Sequence, residues 1–254
     1  MLFTYVKRGV KAGIVAGLVF GLLVALVGNP FIALADEFGG DGHHAGGHHH
    51  EAGDAHHDSA VSTAVTNGVS VVSGVLWGVL LGGVVFGVAY YLLEPAIPGT
   101  GGTKSYLVAA AGFVTVSGAP WLVLPPQVGG EQALPTDTRI LLYGGMMVAG
   151  GLVCLLSGFA YDRLRGAHGR VTAAIAAVLP FALLAVPVAL APANPAESPL
   201  PAELATGLTG MVVFGQAVLW LVLAGTHARL RLRSADGRTA EGATPRTDAT
   251  VGAD

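Results

Sequence analysis

The chain has 254 residues, of which 52% are hydrophobic and only 11% charged, and its formal net charge is −3. A soluble domain carries about 25% charged residues, so the composition excludes an ordinary soluble enzyme. No basic stripe is present that could follow a phosphate backbone, and nucleic acid is excluded as a partner.

Six segments are apolar and long enough to cross a hydrocarbon core, which takes about 20 helical residues: 12–35, 69–93, 105–124, 140–161, 171–191 and 204–224. They predict an all-α fold, a polytopic membrane helical bundle with six transmembrane helices, occupying residues 1–226. The first segment follows Lys7, Arg8 and Lys11 and ends in Ala33-Leu34-Ala35 before Asp36, which resembles a signal-peptide cleavage site. Its apolar stretch exceeds the usual h-region of about 7–15 residues, so a retained helix is expected; cleavage would leave five. Gly9, Gly13, Gly17 and Gly21 recur every four residues in the first segment, as do Gly74, Gly78 and Gly82 in the second. Each row lies on one helix face and lets another backbone approach closely, which predicts tight packing of the first helix on the second. Pro120 in the third segment, and Pro180 and Pro187 in the fifth, should kink their helices and free carbonyls. Residues 227–254 are polar and basic, and are expected to form a disordered cytoplasmic tail.

Lys and Arg counts predict the orientation. The side that holds the N-terminus also holds Lys7, Arg8, Lys11, Lys104, Arg163, Arg165, Arg170, Arg229, Arg231, Arg233, Arg238 and Arg246, twelve of the thirteen basic residues. Only Arg139 lies opposite. The positive-inside rule therefore places both termini in the cytoplasm.

Chemistry concentrates in the first external loop, 36–60. Seven of the nine histidines lie there, His43, His44, His48, His49, His50, His56 and His57, among Asp36, Glu37, Asp41, Glu51, Asp54 and Asp58. Imidazole and carboxylate together suit borderline divalent ions such as Co²⁺, Ni²⁺, Zn²⁺ and Cu²⁺. The irregular, glycine-rich spacing is unlike a closed structural zinc site and predicts exchangeable capture sites. A pH-responsive polar spacer is the other reading of the same loop.

Asn29, Gln127, Glu131, Asp137 and Arg139 would all lie near the external mouth, where a hydrated cation could exchange water for protein oxygen; Asn29, Gln127 and Glu131 are the candidate site of admission. Met146, Met147 and Cys154 lie on the fourth helix, Met147 and Cys154 on one face. They could pass a soft-ligand metal inward, but core packing explains them more simply. Cys154 is the single cysteine, so no intrachain disulfide can form. His168 and His227 are expected at cytoplasmic helix ends, as exit ligands or as complements to the helix dipole. No Ser-His-Asp set, phosphate-binding glycine loop or metalloprotease motif is visible, so the chain is read as a non-enzyme with no permanently bound cofactor.

The N-terminal KRGVKAGIVAGLVFG, the His-rich loop after the first helix, and APWLVLPPQVGGEQALPTDTRILLYGG running into the fourth helix resemble the CbtA family of probable cobalt transporter subunits. The similarity extends over residues 5–225. It implies cobalt supply for cobalamin synthesis and a small single-helix partner of the CbtB kind, and it carries no coordinating residues over to this chain. The leading expectation is the membrane subunit of a cobalt importer. A non-transporting sensor or buffer of Ni²⁺, Zn²⁺ or Co²⁺ is the alternative, and a membrane enzyme acting on lipid or quinone is the weakest.

Overall fold

The computed structural model describes residues 1–40, 62–127, 131–197 and 200–242. The His-rich run from His43 to His57 lies outside them. The described residues are helical almost throughout. Helix α1 (Leu2–Leu23) passes through a π-helical turn (Val24–Gly28) into α2 (Asn29–Gly40). The second run is α3 (Thr63–Val79), a π-helix (Leu80–Gly87) and α4 (Val88–Leu93). The third is α5 (Thr103–Phe113), a π-turn (Val114–Gly118) and α6 (Ala119–Trp121). Then follow α7 (Thr136–Val178), a 3₁₀ stretch (Leu179–Leu184), α8 (Ala185–Leu190) and α9 (Ala202–Gly242).

Four of these stretches are long and apolar enough to cross a membrane: Leu2–Ala35, Thr63–Leu93, Thr136–Leu190 and Ala202–Ser234. They contain five of the six predicted segments. The predicted 105–124 segment is the run α5–α6, which is not one of the four. The predicted 140–161 and 171–191 share the 55-residue stretch, which at about 1.5 Å per residue is far too long for one crossing. That stretch is broken at Gly169, where φ is 81° and ψ 170°, values that only glycine adopts freely. The chain doubles back there: Ser157 donates to the Ala177 carbonyl at 2.6 Å, and Leu184 packs with Met146 and Val153 in one apolar cluster. The last helix continues to Gly242, past the boundary expected at 226; residues 243–254 lie outside the described part.

The glycine rows explain the tightest contact. Gly9 meets Gly82, Gly13 meets Gly78 and Gly17 meets Gly74, an antiparallel register in which each glycine faces a carbonyl or Cα of the other row. Side chains are absent, so the backbones themselves touch and dispersion contacts form along the whole seam. On the other flank α9 closes the larger core, in which Ala12 and Ala16 of α1, Phe86, Tyr90, Val108 and Ala109 pack with Leu219, Trp220, Leu223 and Ala224. The third run joins this core to the smaller cluster of Ala119, Met146, Val153 and Leu184.

Two of the π-turns end two residues before a proline, Gly28 before Pro30 and Gly118 before Pro120. A proline ring cannot donate to the preceding turn and crowds its carbonyl; a widened turn relieves both. The carbonyl of Val116, four residues before Pro120, accepts the Tyr143 hydroxyl at 2.5 Å, which supplies a partner to a group that proline cannot serve. A two-residue antiparallel pairing of Glu131–Gln132 with Ala196–Glu197 ties the segments before α7 and after α8 at one end of the bundle.

Candidate functional site

Polar side chains gather at the two ends of the helices. At the end opposite the N-terminus, Asn29 donates to Asn67 Oδ1 at 2.7 Å and to Ser70 Oγ at 3.1 Å. Asn29 directly follows a π-turn, a device often found where a helix must re-aim a side chain. Helix α9 lines the same end: the Met211 side chain lies against Gly28, Gly207 approaches Phe31, and Thr209 donates to the Pro126 carbonyl at 3.2 Å. Gln127, next to that carbonyl, has a buried Oε1 without a partner. Gly28 and Phe31, which flank Asn29 and Pro30, and the Pro126 carbonyl thus all lie against the 207–211 stretch of α9.

The other predicted members are placed differently. Arg139 donates to Thr136 Oγ1 at 3.0 Å within its own turn. The backbone of Glu131 pairs with Glu197. Among the described residues no hydrogen bond or ion pair joins Asn29, Gln127, Asp137 and Arg139 to one another. Met146 is buried in the smaller apolar cluster, and Cys154 is half-buried with its sulfur 3.8 Å from the Ala111 carbonyl. Among the described residues no three His, Cys, Asp or Glu side chains gather as a ready metal site.

At the N-terminal end a denser cluster forms. Arg231 Nη1 lies 2.7 Å from Glu94 Oε1 and donates to the Tyr90 hydroxyl, and its guanidinium carbon is 4.9 Å from the Tyr90 ring centre. Tyr5 donates to Glu94 Oε2, and Lys104 donates to the Glu94 carbonyl at 2.7 Å. Tyr5 of α1 and Arg231 of α9 are thereby fastened to one carboxylate just past α4, and Lys104 of α5 to the carbonyl of the same residue. Burial raises the Glu94 pKa, but hydrogen bonds from Tyr5 and Arg231 and the nearby charges of Arg231 and Lys104 outweigh it and hold the group below its ordinary value.

His227 is not at a helix end, as expected from the sequence, but within α9 and fully buried. The sequence expectation rested on the start of the polar tail, whereas the helix runs on for several turns. Its Nδ1 is 2.9 Å from Ser105 Oγ, its ring lies tilted with its centre 4.7 Å from that of Tyr90 and edge-on at 5.1 Å from that of Phe86, and its Nε2 has no partner. His168 is exposed beside the Gly169 turn. Tyr5, Tyr90, Ser105 and Arg231 were missed by sequence reasoning. The available signal was spacing: Tyr90 with Glu94, and His227 with Arg231, are i, i+4 pairs that share a helix face.

Apolar helices that pack through glycine rows, with charged side chains kept out of the apolar segments, define a polytopic helical membrane protein. The chain belongs to the CbtA family, described as probable cobalt transporter subunit, whose model matches residues 2–231. No curated protein and no solved structure matches it.

Proposed function

We propose that this protein is the membrane subunit of a cobalt importer, with six spans, both termini in the cytoplasm and the His-rich loop outside. Membership of a cobalt-transporter family over nearly the whole membrane portion carries the reading. Six spans are supported by the reversal at Gly169, and by the pairing of Glu131–Gln132 with Ala196–Glu197, which brings together two segments that a six-span count assigns to one side. The same parity assigns the Glu94 cluster to the Lys- and Arg-rich side.

In this scheme His43, His44, His48, His49, His50, His56 and His57 raise the local Co²⁺ concentration. Water is then exchanged for protein oxygen around Asn29, Gln127 and Glu131, where Asn67 and Ser70 add a further amide and hydroxyl. An inside-negative potential supplies about 2.3 kcal/mol per charge per 100 mV, and twice that for a divalent ion, so no nucleotide hydrolysis is needed. The chain is not an enzyme, and a small single-helix subunit of the CbtB kind completes the path. Cobalt uptake under cobalt limitation should depend on the gene; equal uptake of labelled cobalt with and without it rejects the proposal.

A further inference from the structure

Tyr90 and Glu94, one helical turn apart, face His227 and Arg231, also one turn apart on α9. Between them the Arg231 Nη1 atom is surrounded as a bound cation would be. It has a carboxylate oxygen at 2.7 Å, the Tyr90 hydroxyl as acceptor, and an aromatic face beneath the guanidinium. One turn away, the buried His227 spends Nδ1 on Ser105 and leaves Nε2 without a partner, although buried polar nitrogens are nearly always hydrogen-bonded.

Arg231 also has somewhere to go. A cavity of about 390 Å³ borders it, lined in addition by Tyr5, Arg8, Gly101 and Leu232. Arg8 on its wall makes the cavity a poor resting place for a second guanidinium, so Arg231 would return to Glu94 when Glu94 is vacant.

We propose that Glu94, Tyr90 and His227 form an inner site for the transported divalent cation, and that Arg231 is a tethered cation that fills this site when no metal is there. The proposal rests on the cobalt-import reading and names the residues at its inner end. Carboxylate and imidazole carry the affinity, because a neutral phenol is a weak ligand, and this pair favours Co²⁺, Ni²⁺ or Zn²⁺ over Mg²⁺ and Ca²⁺. Exchange of one cation for another keeps Glu94 paired throughout. A lone carboxylate at the edge of the lipid is thereby avoided. The metal leaves toward the cavity as the guanidinium swings back.

The test is a calorimetric Co²⁺ titration of the full-length protein in detergent micelles, with the external histidines intact in every sample so that their contribution is common. Because no tethered cation competes in it, Arg231→Gln is expected to show one extra high-affinity equivalent of Co²⁺, which the wild type binds only more weakly. Arg231→Gln combined with Glu94→Gln, or with His227→Ala, should lose that equivalent. Identical titrations for Arg231→Gln and wild type overturn the proposal. Should Arg231→Gln fail to fold, Arg231→Lys keeps the charge but not the planar guanidinium over the Tyr90 ring. It is expected to yield the extra equivalent at lower affinity, and a wild-type titration curve for it likewise overturns the proposal. Cobalt uptake by cells is read separately. Gene-dependent uptake without the extra equivalent removes the inner site alone, whereas the extra equivalent without gene-dependent uptake removes the import reading.

Discussion

Gly13 and Gly78 face each other so closely that a Cβ placed on Gly13 would lie 2.0 Å from the Gly78 carbonyl oxygen. The obstructing atom is backbone, so no side-chain rotation can relieve the clash, and the two helices must separate. Gly13→Ala and Gly78→Ala are each expected to destabilise the protein by about 1–3 kcal/mol, the usual cost of overpacking. Gly144, around which nothing lies within 4 Å, is the control, and Gly144→Ala should be near neutral. Thermal unfolding in detergent checks both; equal midpoints for Gly13→Ala and Gly144→Ala would contradict the close seam.

Tyr143 serves the Val116 carbonyl four residues before Pro120. Tyr143→Phe should cost about 0.6 kcal/mol, the average for a hydrogen bond between membrane helices. In a Pro120→Ala background the backbone can supply its own donor, and the cost should shrink toward zero. A double-mutant cycle on unfolding free energy measures the coupling, and strict additivity would show that the two residues act independently.

Much of the architecture was legible because two signals are local. Apolar runs reveal candidate spans, and glycines at every fourth position reveal a face on which backbones can meet; Gly9, Gly13 and Gly17 lie where that pattern puts them, against the second row. The π-turns were not legible, since a wider turn leaves no periodic mark, and only the prolines two residues beyond Gly28 and Gly118 hint at it. The Arg231–Glu94 pair was hidden for another reason. Its partners lie 137 positions apart in a chain whose intervening helices decide the register, and Arg231 was counted as part of a tail because charged residues surround it. At the opposite end, sequence reasoning identified Asn29 and missed Asn67 and Ser70, polar residues that look unremarkable until helix packing brings them to the Asn29 amide.

The Glu94 carboxylate makes stability depend on acid. Its folded-state pKa is held below the unfolded value, so its contribution is complete above the unfolded pKa and is lost as pH falls through the folded one. Unfolding temperature should therefore decline on acidification through the carboxylate range. Glu94→Gln should start lower and decline less, and parallel pH profiles for the two proteins would dissociate the carboxylate from the effect.

Orientation has a direct chemical readout. With Cys154 replaced by Ser, a single thiol introduced as His48→Cys should react in intact cells with a reagent that cannot cross the membrane. A thiol introduced at Gly102, beside Lys104, should react only after the cells are opened. The distribution of twelve of thirteen basic residues underlies both expectations, and the reverse pattern would place the histidines inside.

Deletion of residues 41–58 separates transport from sensing. If the histidines only concentrate the ion, the pathway itself is untouched, and mass action at high external cobalt replaces what the loop supplied. Uptake by the deletion variant should then require more cobalt to reach half its maximal rate, with the maximal rate close to that of the wild type. A sensor works differently, because without its ligand-binding segment no concentration of metal restores the response. A maximal uptake rate that stays near the background of gene-deleted cells, in a variant shown to reach the membrane, would therefore favour the sensor and reject capture followed by hand-over.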